Sequence, residues 1–347
     1  MVAECHSVVT RGIINIAATM EAFDNAHRLI HLDLKGAPPK VSYYEKIFPA
    51  FRKWGATGLL IEWEDTFPYE GEVAHIGSSG PSSHGFYSKE DALHILQLAH
   101  QNGLMVIPLV QTFGHLEFVL KHKSFQSLRE VENYPSSMCP TNPNALNLVK
   151  TMVVLEKLEN RKPRLFLNHV IAVVKFIQNA FPSLGIIIWD DMLRGISLEL
   201  LEEYDLGKYV EPMIWHYRAQ DNFQLPPDMW DKYSQVFPNF WIASAFKGAT
   251  GSSKMLPITS YHISNHMAWI KVLNEERGKF KNFRGIAFTG WSRYDHFATI
   301  CEMLPVSIPC LALCLKSWND GEFNPTIHES ISKELGFSVP TLLNPYP

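Results

Sequence analysis

The chain has 347 residues, 46% of them hydrophobic, and a formal net charge of −4 at pH 7. This length and apolar content suit one large α/β barrel or two ordinary domains. The negative charge gives no electrostatic support for binding nucleic acid or an anionic membrane. No apolar run approaches the roughly 18 residues of a membrane span, and residues 1–28 lack the basic start and compact apolar core of a secretory signal.

The cysteines do not form a disulfide or metal-binding pattern. There are five in the chain, with no Cys-x-x-Cys pair, and Cys310 and Cys314 lie in an apolar helical run, where cysteine behaves as a small hydrophobe. We therefore expect an intracellular protein, in the cytoplasm and nucleus.

Short apolar runs alternate with helical patterns along the chain. Continuous apolar runs of this kind predict parallel strands buried on both faces of a sheet. The segment 88–103 is one of the intervening helices, with Ser88 as a cap and Gly103 as its end. The seven predicted strands are 29–35, 58–65, 104–112, 185–191, 210–217, 240–246 and 284–291.

The interval between the third and fourth runs is about twice as long as most of the others. It contains two helical stretches, 144–162 and 164–181, without a strand between them. We predict a TIM-type (β/α)8 barrel with the fourth βα unit missing and seven strands recognisable. An open seven-stranded sheet is the alternative. The predicted organisation is an N-terminal segment (1–28), the barrel domain (29–318) and a C-terminal tail (319–347).

The predicted strands end in polar and aromatic residues. In a parallel barrel these ends converge on the active site. Indole faces beside carboxylates suit a pyranose ring, which has C–H faces for stacking and hydroxyls for hydrogen bonds. One tryptophan equally suits a core-filling role, but four at one end favour a sugar site. The residues are Asp33, Lys35, Glu62, Trp63, Glu64, Asp65, Gln111, His115, Trp189, Asp190, Trp215, Tyr217, Lys247, Trp291, Arg293, Tyr294 and Asp295.

A metal-dependent barrel hydrolase is the competing class of enzyme. The nearest histidine pair, His262 and His266, lies on a polar helical stretch between strands, and no His-Glu-x-x-His motif occurs. Gly-rich phosphate loops are also absent. We expect neither a metal nor a cofactor.

Several long strings resemble those of a known family. They are HLDLKGAPP (31–39), WGATGLLIEWEDTFPYEG (54–71), QTFGHLEFVLKH (111–122), WDDMLR (189–194), SAFKGATG (244–251) and GWSRYDH (290–296). Together they resemble the hexosaminidase D branch of the family 20 glycoside hydrolases, the β-N-acetylhexosaminidases. The resemblance implies a (β/α) barrel and a substrate-assisted retaining mechanism, in which the 2-acetamido oxygen of the substrate attacks the anomeric carbon.

The family's proton donor is absent from the sequence. The resemblance implies an Asp-Glu pair at the end of the fourth strand, where the glutamic acid protonates the leaving oxygen and the aspartate stabilises the oxazolinium. No Asp-Glu dipeptide occurs in the chain. About thirty residues, one βα unit, look excised near Val153 and Val154. We therefore expect the catalytic residues to be missing and the activity of the chain to be impaired.

Substrate-binding residues follow from the resemblance residue by residue. Trp189 resembles the wall of the N-acetyl pocket, which Trp215 and Trp291 complete, and His115 resembles the family's active-site histidine. Either Tyr217 or Tyr294 could hold the acetamide oxygen. The candidates for contacts with sugar hydroxyls are Asp33, Asp190, Arg293 and Asp295.

Three interpretations stay open at this point. The chain is a β-N-acetylhexosaminidase; or it is a non-catalytic N-acetylhexosamine-binding or unstable splice product; or it is a different hydrolase that uses Glu62, Glu64 and Asp65. The expected partners are glycans or glycoconjugates ending in N-acetylhexosamine, with N-acetylgalactosamine and N-acetylglucosamine both open and a homodimer also open. Loop capping and ion pairing are the simpler roles for the Glu62–Asp65 group.

Overall fold

The computed structural model describes residues 26–69, 71–77, 87–139, 142, 144–145, 147–149, 162–295 and 297–346. Seven strands form one parallel sheet in the order β3-β2-β1-β9-β8-β7-β6. These strands are β1 (His27–Asp33), β2 (Gly58–Glu62), β3 (Met105–Leu109), β6 (Ile187–Trp189), β7 (Glu211–Trp215), β8 (Asn239–Lys247) and β9 (Asn282–Gly290). The seven predicted strands are therefore confirmed, with shifts of a few residues at their ends.

The strand order is that of a barrel opened at one place. The first strand pairs with the last, with His27 opposite Gly285 and Ile30 opposite Phe288. Only β3 and β6 have a single neighbour in the described sheet. A fourth barrel strand would lie between them, so the sheet has the topology predicted for a (β/α)8 barrel with seven strands.

Helices cover the outer face of the sheet. They are α1 (Val41–Lys53), α2 (Lys89–Gln101), α3 (Glu117–Leu120), α4 (Lys162–Ala180), α5 (Asp191–Arg194), α6 (Leu198–Glu203), α7 (Met229–Val236), α8 (Thr259–Glu276), α9 (Leu304–Asp320) and α10 (Pro325–Glu334). Among the described residues no helix combines the length and apolar character needed to cross a bilayer.

Helix α2 shows how local sequence defines an element. Its first turn carries a capping box, in which the Ser88 hydroxyl accepts from the Asp91 amide and the Asp91 carboxylate accepts from the Ser88 amide. The chain leaves the helix through Gly103, which has a φ of 65°. Both predicted ends of this helix are confirmed.

The apolar residues on the two faces of the sheet form two layers, and a third cluster around Leu116 and Leu120 lies in the segment after β3. Phe48, Phe51 and Phe288 belong to the layer between the sheet and its helices. A smaller cluster fills the inside of the barrel and consists of Leu29, Leu60, Met213, Trp241, Ala243 and Ala287. Alternate residues of a strand point to opposite faces, so each strand contributes to both layers.

The segment after β3 differs from the predicted pattern. It contains an antiparallel hairpin of β4 (Arg129–Val131) and β5 (Tyr134–Met138), which the search for continuous apolar runs missed because its residues are mostly polar. The predicted helix 164–181 corresponds to α4. Most of the other predicted helix, including the join near 153–154, lies outside the described residues.

Helix α4 packs on the segment that follows β3. The His169 Nε2 atom is 2.9 Å from the Thr112 carbonyl oxygen. The ring centroids of Phe166 and Phe113 are 6.3 Å apart. Leu167 and Val174 of the same helix are buried in the outer layer. The helix thus lies beside the open end of the sheet at β3.

Residues after Trp318 pack on the barrel. Ile327 and Ile331 of α10 join the outer core, and Glu334 accepts a hydrogen bond from Trp54 Nε1 over 2.9 Å. The Ser260 amide donates to the Leu343 carbonyl. The predicted tail therefore has fixed contacts with α1 and α8.

Candidate active site

A buried charged cluster occupies the C-terminal ends of β1 and β2. The Lys35 Nζ atom lies 3.6 Å from Asp33 Oδ2, 3.5 Å from Glu62 Oε1 and 3.1 Å from Glu64 Oε1. All four residues are buried. Three carboxyl groups therefore share one ammonium group away from bulk water. We call Asp33, Lys35, Glu62 and Glu64 the charged cluster.

The carboxyl groups of the charged cluster differ in protonation. Burial alone would raise the pKa of Glu62, but Lys35 and His31 hold it well below its usual range. Burial and the charge of Glu62 raise the pKa of Glu64 to about 9. At neutral pH, Glu62 is therefore ionised and Glu64 carries a proton.

Neighbouring side chains hold Glu62 in place. The Gln111 amide donates to Glu62 Oε1 over 2.8 Å, and His31 Nε2 lies 3.2 Å from Glu62 Oε2.

His115 lies in the loop after β3. It is exposed and has a φ of 56°. Partial loss of solvent and the charge of Lys35 lower the pKa of His115. Its imidazole is therefore neutral at physiological pH.

Four aromatic rings stand at the ends of β6, β7 and β9. The Trp189 and Trp291 centroids are 5.8 Å apart, those of Trp215 and Tyr217 are 5.1 Å apart, and those of Tyr217 and Trp291 are 6.5 Å apart. All four residues are half-buried, so parts of the rings face solvent. We call this group the aromatic box. Its rings can stack on the C–H face of a sugar.

An ion pair fixes one wall of the aromatic box. Arg194 Nε donates to Asp190 Oδ2 and an Arg194 terminal nitrogen to Asp190 Oδ1, both over 2.7 Å. The same terminal nitrogen donates to the Trp215 carbonyl over 2.6 Å, and the guanidinium lies 4.9 Å from the Trp215 ring centroid. This bidentate pair holds Trp215 in position.

The charged cluster and the aromatic box adjoin each other. The His31 and Trp291 rings meet edge to face at 4.6 Å. The Ser292 amide donates to Asp33 Oδ2 and the Ser292 hydroxyl to the Asp33 carbonyl, each over 2.8 Å. A ring stacked in the aromatic box therefore has carboxyl groups at its side. This arrangement can hold a pyranose through its faces and its hydroxyls.

The structure brings together part of the predicted set. Asp33, Trp189, Trp215, Tyr217 and Trp291 line one site, with His115 at its rim beside Lys35. Of the two tyrosines proposed for the acetamide oxygen, only Tyr217 belongs to the aromatic box.

The four other predicted residues make different contacts from those expected for sugar-binding side chains. Asp190 has no exposed surface, and both of its carboxylate oxygens contact Arg194. Arg293 donates to the Ala298 carbonyl over 2.6 Å, and Tyr294 and Asp295 are exposed on the same loop. Arg293 also pairs with Ile300 in an antiparallel bridge, and one of its terminal nitrogens lies next to Gly36, beyond the end of β1.

Two cations of the site were not among the predicted substrate-binding residues: Lys35 was predicted only as a strand-end residue, and Arg194 was not predicted. Lys35 lies two residues after Asp33, and a strand period of two places both on one face. Arg194 follows Asp190 by four residues, the spacing of an ion pair on a helix. Trp63, counted as a strand-end tryptophan, packs in the outer core against Tyr87 instead.

The two histidines weighed as metal ligands lie inside the fold. They were predicted on a polar stretch, but His262 and His266 are fully buried because α8 packs on β8, and Ser244 Oγ is 2.7 Å from His266 Nε2. Burial lowers the pKa of His262 to about 3 and that of His266 to about 4. The described part of the chain has no group of three or more His, Cys, Asp or Glu placed to hold a metal ion.

Comparison with known proteins gives close relatives in sequence. No protein-family model matches the chain. The chain is 40% identical over 343 residues to hexosaminidase D of Homo sapiens, covering 90% of this chain and 69% of the relative. Hexosaminidase D of Bos taurus has the same identity, with 97% of its length covered.

Solved structures share the fold at low identity. A mutant Streptomyces plicatus β-hexosaminidase in complex with product has a TM-score of 0.62 at 12% identity, over 92% of this chain and 71% of the other. A chitobiase of Flavobacterium johnsoniae has a TM-score of 0.59 at 11% identity, over 90% of this chain and 52% of the other. The curated relatives and these shared folds together place the chain in the hexosaminidase D family, on the barrel of the family 20 β-N-acetylhexosaminidases.

Proposed function

We propose that the chain binds a terminal N-acetylhexosamine of a glycan in the aromatic box and hydrolyses it poorly or not at all. The observation that carries the proposal is the aromatic box of Trp189, Trp215, Tyr217 and Trp291 beside the charged cluster. Relatives named hexosaminidase D support the choice of sugar.

The first support for binding is that neighbouring groups hold the aromatic box in place. The rings are half-buried, although they are large and apolar, because Arg194 fixes Trp215 and the His31 ring packs on Trp291. A preformed apolar surface with a few polar groups is typical of small-molecule sites. Asp33 and Tyr217 supply those polar groups.

The first support for impaired hydrolysis is the sequence itself, which has no Asp-Glu dipeptide. The alignment points the same way. The alignment with the human relative spans 343 positions, but it includes only 90% of this chain, which is about 312 residues. About 30 positions of the relative therefore lie opposite gaps in this chain. One βα unit has about that length.

The second support is the sheet topology. The pair would be expected at the end of a strand between β3 and β6, and these two strands form the ends of the described sheet. Loss of a general acid typically costs about 10²–10⁴-fold in rate. Loss of the neighbouring aspartate also removes the charge that stabilises the oxazolinium.

The test measures binding and hydrolysis separately. We expect calorimetric titration to detect N-acetylgalactosamine or N-acetylglucosamine binding to the unaltered chain, and Trp291→Ala or Trp189→Ala to abolish it. Trp63→Phe, in the outer core, is the matched control and should bind normally. Absence of binding to the unaltered chain, or unchanged binding in both box variants, would reject the proposed sugar site.

Hydrolysis is tested with a chromogenic N-acetyl-β-galactosaminide. The unaltered chain should release no aglycone above a buffer blank. A variant with one βα unit ending in Asp-Glu inserted between Val153 and Val154 should regain hydrolysis without a metal requirement. An inserted variant that folds and binds sugar but stays inactive would contradict the assignment of the missing acid.

One observation favours a second candidate, a hydrolase that uses the charged cluster. Glu64 is protonated at neutral pH, as a proton donor must be, and lies beside ionised Glu62. Asp65 does not join it, because its carboxylate pairs with Lys121 over 2.7 Å. Aglycone release by the unaltered chain that is lost in Glu64→Gln would establish this alternative.

A further inference from the structure

A cavity lies between α1 and the loop that follows β9. Its volume is about 430 Å³, and its wall includes Lys40, Ser42 and Lys46 of the α1 region, Lys247 at the end of β8, and Ser292 and Cys301 of the loop. None of the four rings of the aromatic box lines it. The cavity therefore adjoins the sugar site and shares Asp33 with it, but it does not include the aromatic rings.

Lysines predominate among the charged side chains of the cavity wall. Lys40, Lys46 and Lys247 line it together with Asp33, and the carboxylate of Glu302 also acts on Lys247. Asp33 is already engaged by Lys35 and by the Ser292 amide. Within the described ranges, neither Lys40 nor Lys46 pairs with a carboxylate.

Lys247 makes the site more than a surface patch. Lys247 is 3% exposed, and its Nζ atom donates a hydrogen bond to the Trp291 carbonyl. An ammonium group has three donors, so further donors remain for a ligand. Burial lowers the pKa of Lys247, because the ammonium has lost its solvent. A bound anion would restore the lost interaction.

The polar groups around the cavity also favour an anion. Helix α1 begins at Val41, has no side-chain cap at Lys40 and has no acidic residue in its first turn. A helix N-terminus of this kind attracts negative charge. His31 also lines the cavity; it is fully buried, and its Nδ1 atom has no hydrogen-bond partner in the described chain.

We propose that this cavity binds a phosphate or sulfate group, with Lys40, Lys46 and Lys247 as its cationic ligands. The cavity is larger than one tetrahedral anion and lies in the size range of sites for sugar-sized molecules. A sugar carrying a phosphate or sulfate ester therefore fits the volume and the charge together. The site does not depend on hydrolysis in the neighbouring aromatic box.

The test compares anion binding by the full chain and by charge-reversal variants. Calorimetric titrations at fixed ionic strength use sodium phosphate, sodium sulfate, N-acetylglucosamine 6-sulfate and N-acetylglucosamine. We expect the double variant Lys40→Glu, Lys46→Glu to weaken anion binding by at least about 10-fold. An acidic residue at the start of α1 favours the helix, so this variant should fold.

The matched control is Lys271→Glu, on the exposed side of α8, which should bind anions like the parent. Trp189→Ala, which removes a wall of the aromatic box, should keep phosphate binding and so separates this site from the sugar site. If the sulfated sugar binds at least about 10-fold more tightly than inorganic sulfate, the ligand is a sugar ester. If the two bind with equal affinity, the ligand is the free anion. Absence of binding below about 10 mM, or equal binding by the parent and the double variant, would overturn the proposal.

Discussion

The closed side and the open side of the barrel differ in burial, although their strands have similar composition. On the closed side, β8 is nine residues long and eight of them are buried. On the open side, no residue of β3 or β6 is fully buried. Both sets are rich in branched and aromatic residues. A neighbour on each edge, rather than apolar composition, therefore determines how well a barrel strand is buried.

The largest expected effect is on hydrogen exchange. Within the described residues, alternate amides of β3 and β6 point to an edge without a partner strand, whereas those of β8 and β9 are enclosed. We expect exchange from β8 and β9 to require global unfolding, about 5 kcal/mol or more, and exchange from β3 and β6 to require little. Mass spectrometry of the exchanged peptides measures the difference. Equal protection of the two sides would show that the open edges are covered in solution.

The next effect tests the anchor of the open side. Arg194→Met leaves the Asp190 carboxylate buried without its partner, which typically costs about 3–5 kcal/mol of unfolding free energy. Urea unfolding measures it. The exposed pair of Lys121 and Asp65 is the control, and Lys121→Ala should cost no more than about 1 kcal/mol. Similar losses in both variants would contradict the role given to Asp190.

Two isoleucines, one on each side of the barrel, allow a direct comparison of the stability that each side contributes. Ile286 of β9 is fully buried and Ile107 of β3 is half-buried. We expect Ile286→Ala to cost about 2–5 kcal/mol, and Ile107→Ala clearly less because part of its side chain already contacts water. Equal losses in urea unfolding would mean that the gap beside β3 is filled.

The smallest effect, counted per pH unit, is a pH slope of stability. Glu64 has a raised pKa of about 9 when folded, against an ordinary value near 4.5. Between these values the unfolded chain has released a proton that the folded chain keeps, so stability falls as pH rises, by at most about 1.4 kcal/mol per pH unit. Glu64→Gln should flatten this slope between pH 6.5 and 9, whereas exposed Glu90→Gln should not. An unchanged slope in Glu64→Gln would mean that Glu64 is ionised.

The sequence predicted the strands well because each buried strand is a continuous apolar run with polar residues at its end. It also predicted the aromatic box, since Trp189, Trp215 and Trp291 each close such a run. The sequence could not predict how a loop exposes its side chains. Asp295 is four residues after Trp291, but it is exposed on the loop that the bridge from Arg293 to Ile300 closes.

Burial was the other property that sequence could not supply. The stretch around His262 looks polar, but its helix packs directly on β8, so only the assembled fold shows that its histidines are neutral and internal. The protonation of Glu64 is a similar case. Burial and the nearby charges of Glu62 and Asp33 raise the pKa of Glu64, and no local sequence pattern predicts that these groups come together.

The contact between Asp33 and Ser292 has a consequence for synthesis of the protein. These residues are 259 positions apart in the chain, and the strands that they follow are direct neighbours. At about 5–20 residues per second, β1 must wait roughly 10–50 s after its own translation before its C-terminal neighbour exists. During that time β1 pairs with β2 alone, and its other edge is exposed to other chains and to chaperones. The most buried side of the finished barrel is therefore the last to be completed on the ribosome.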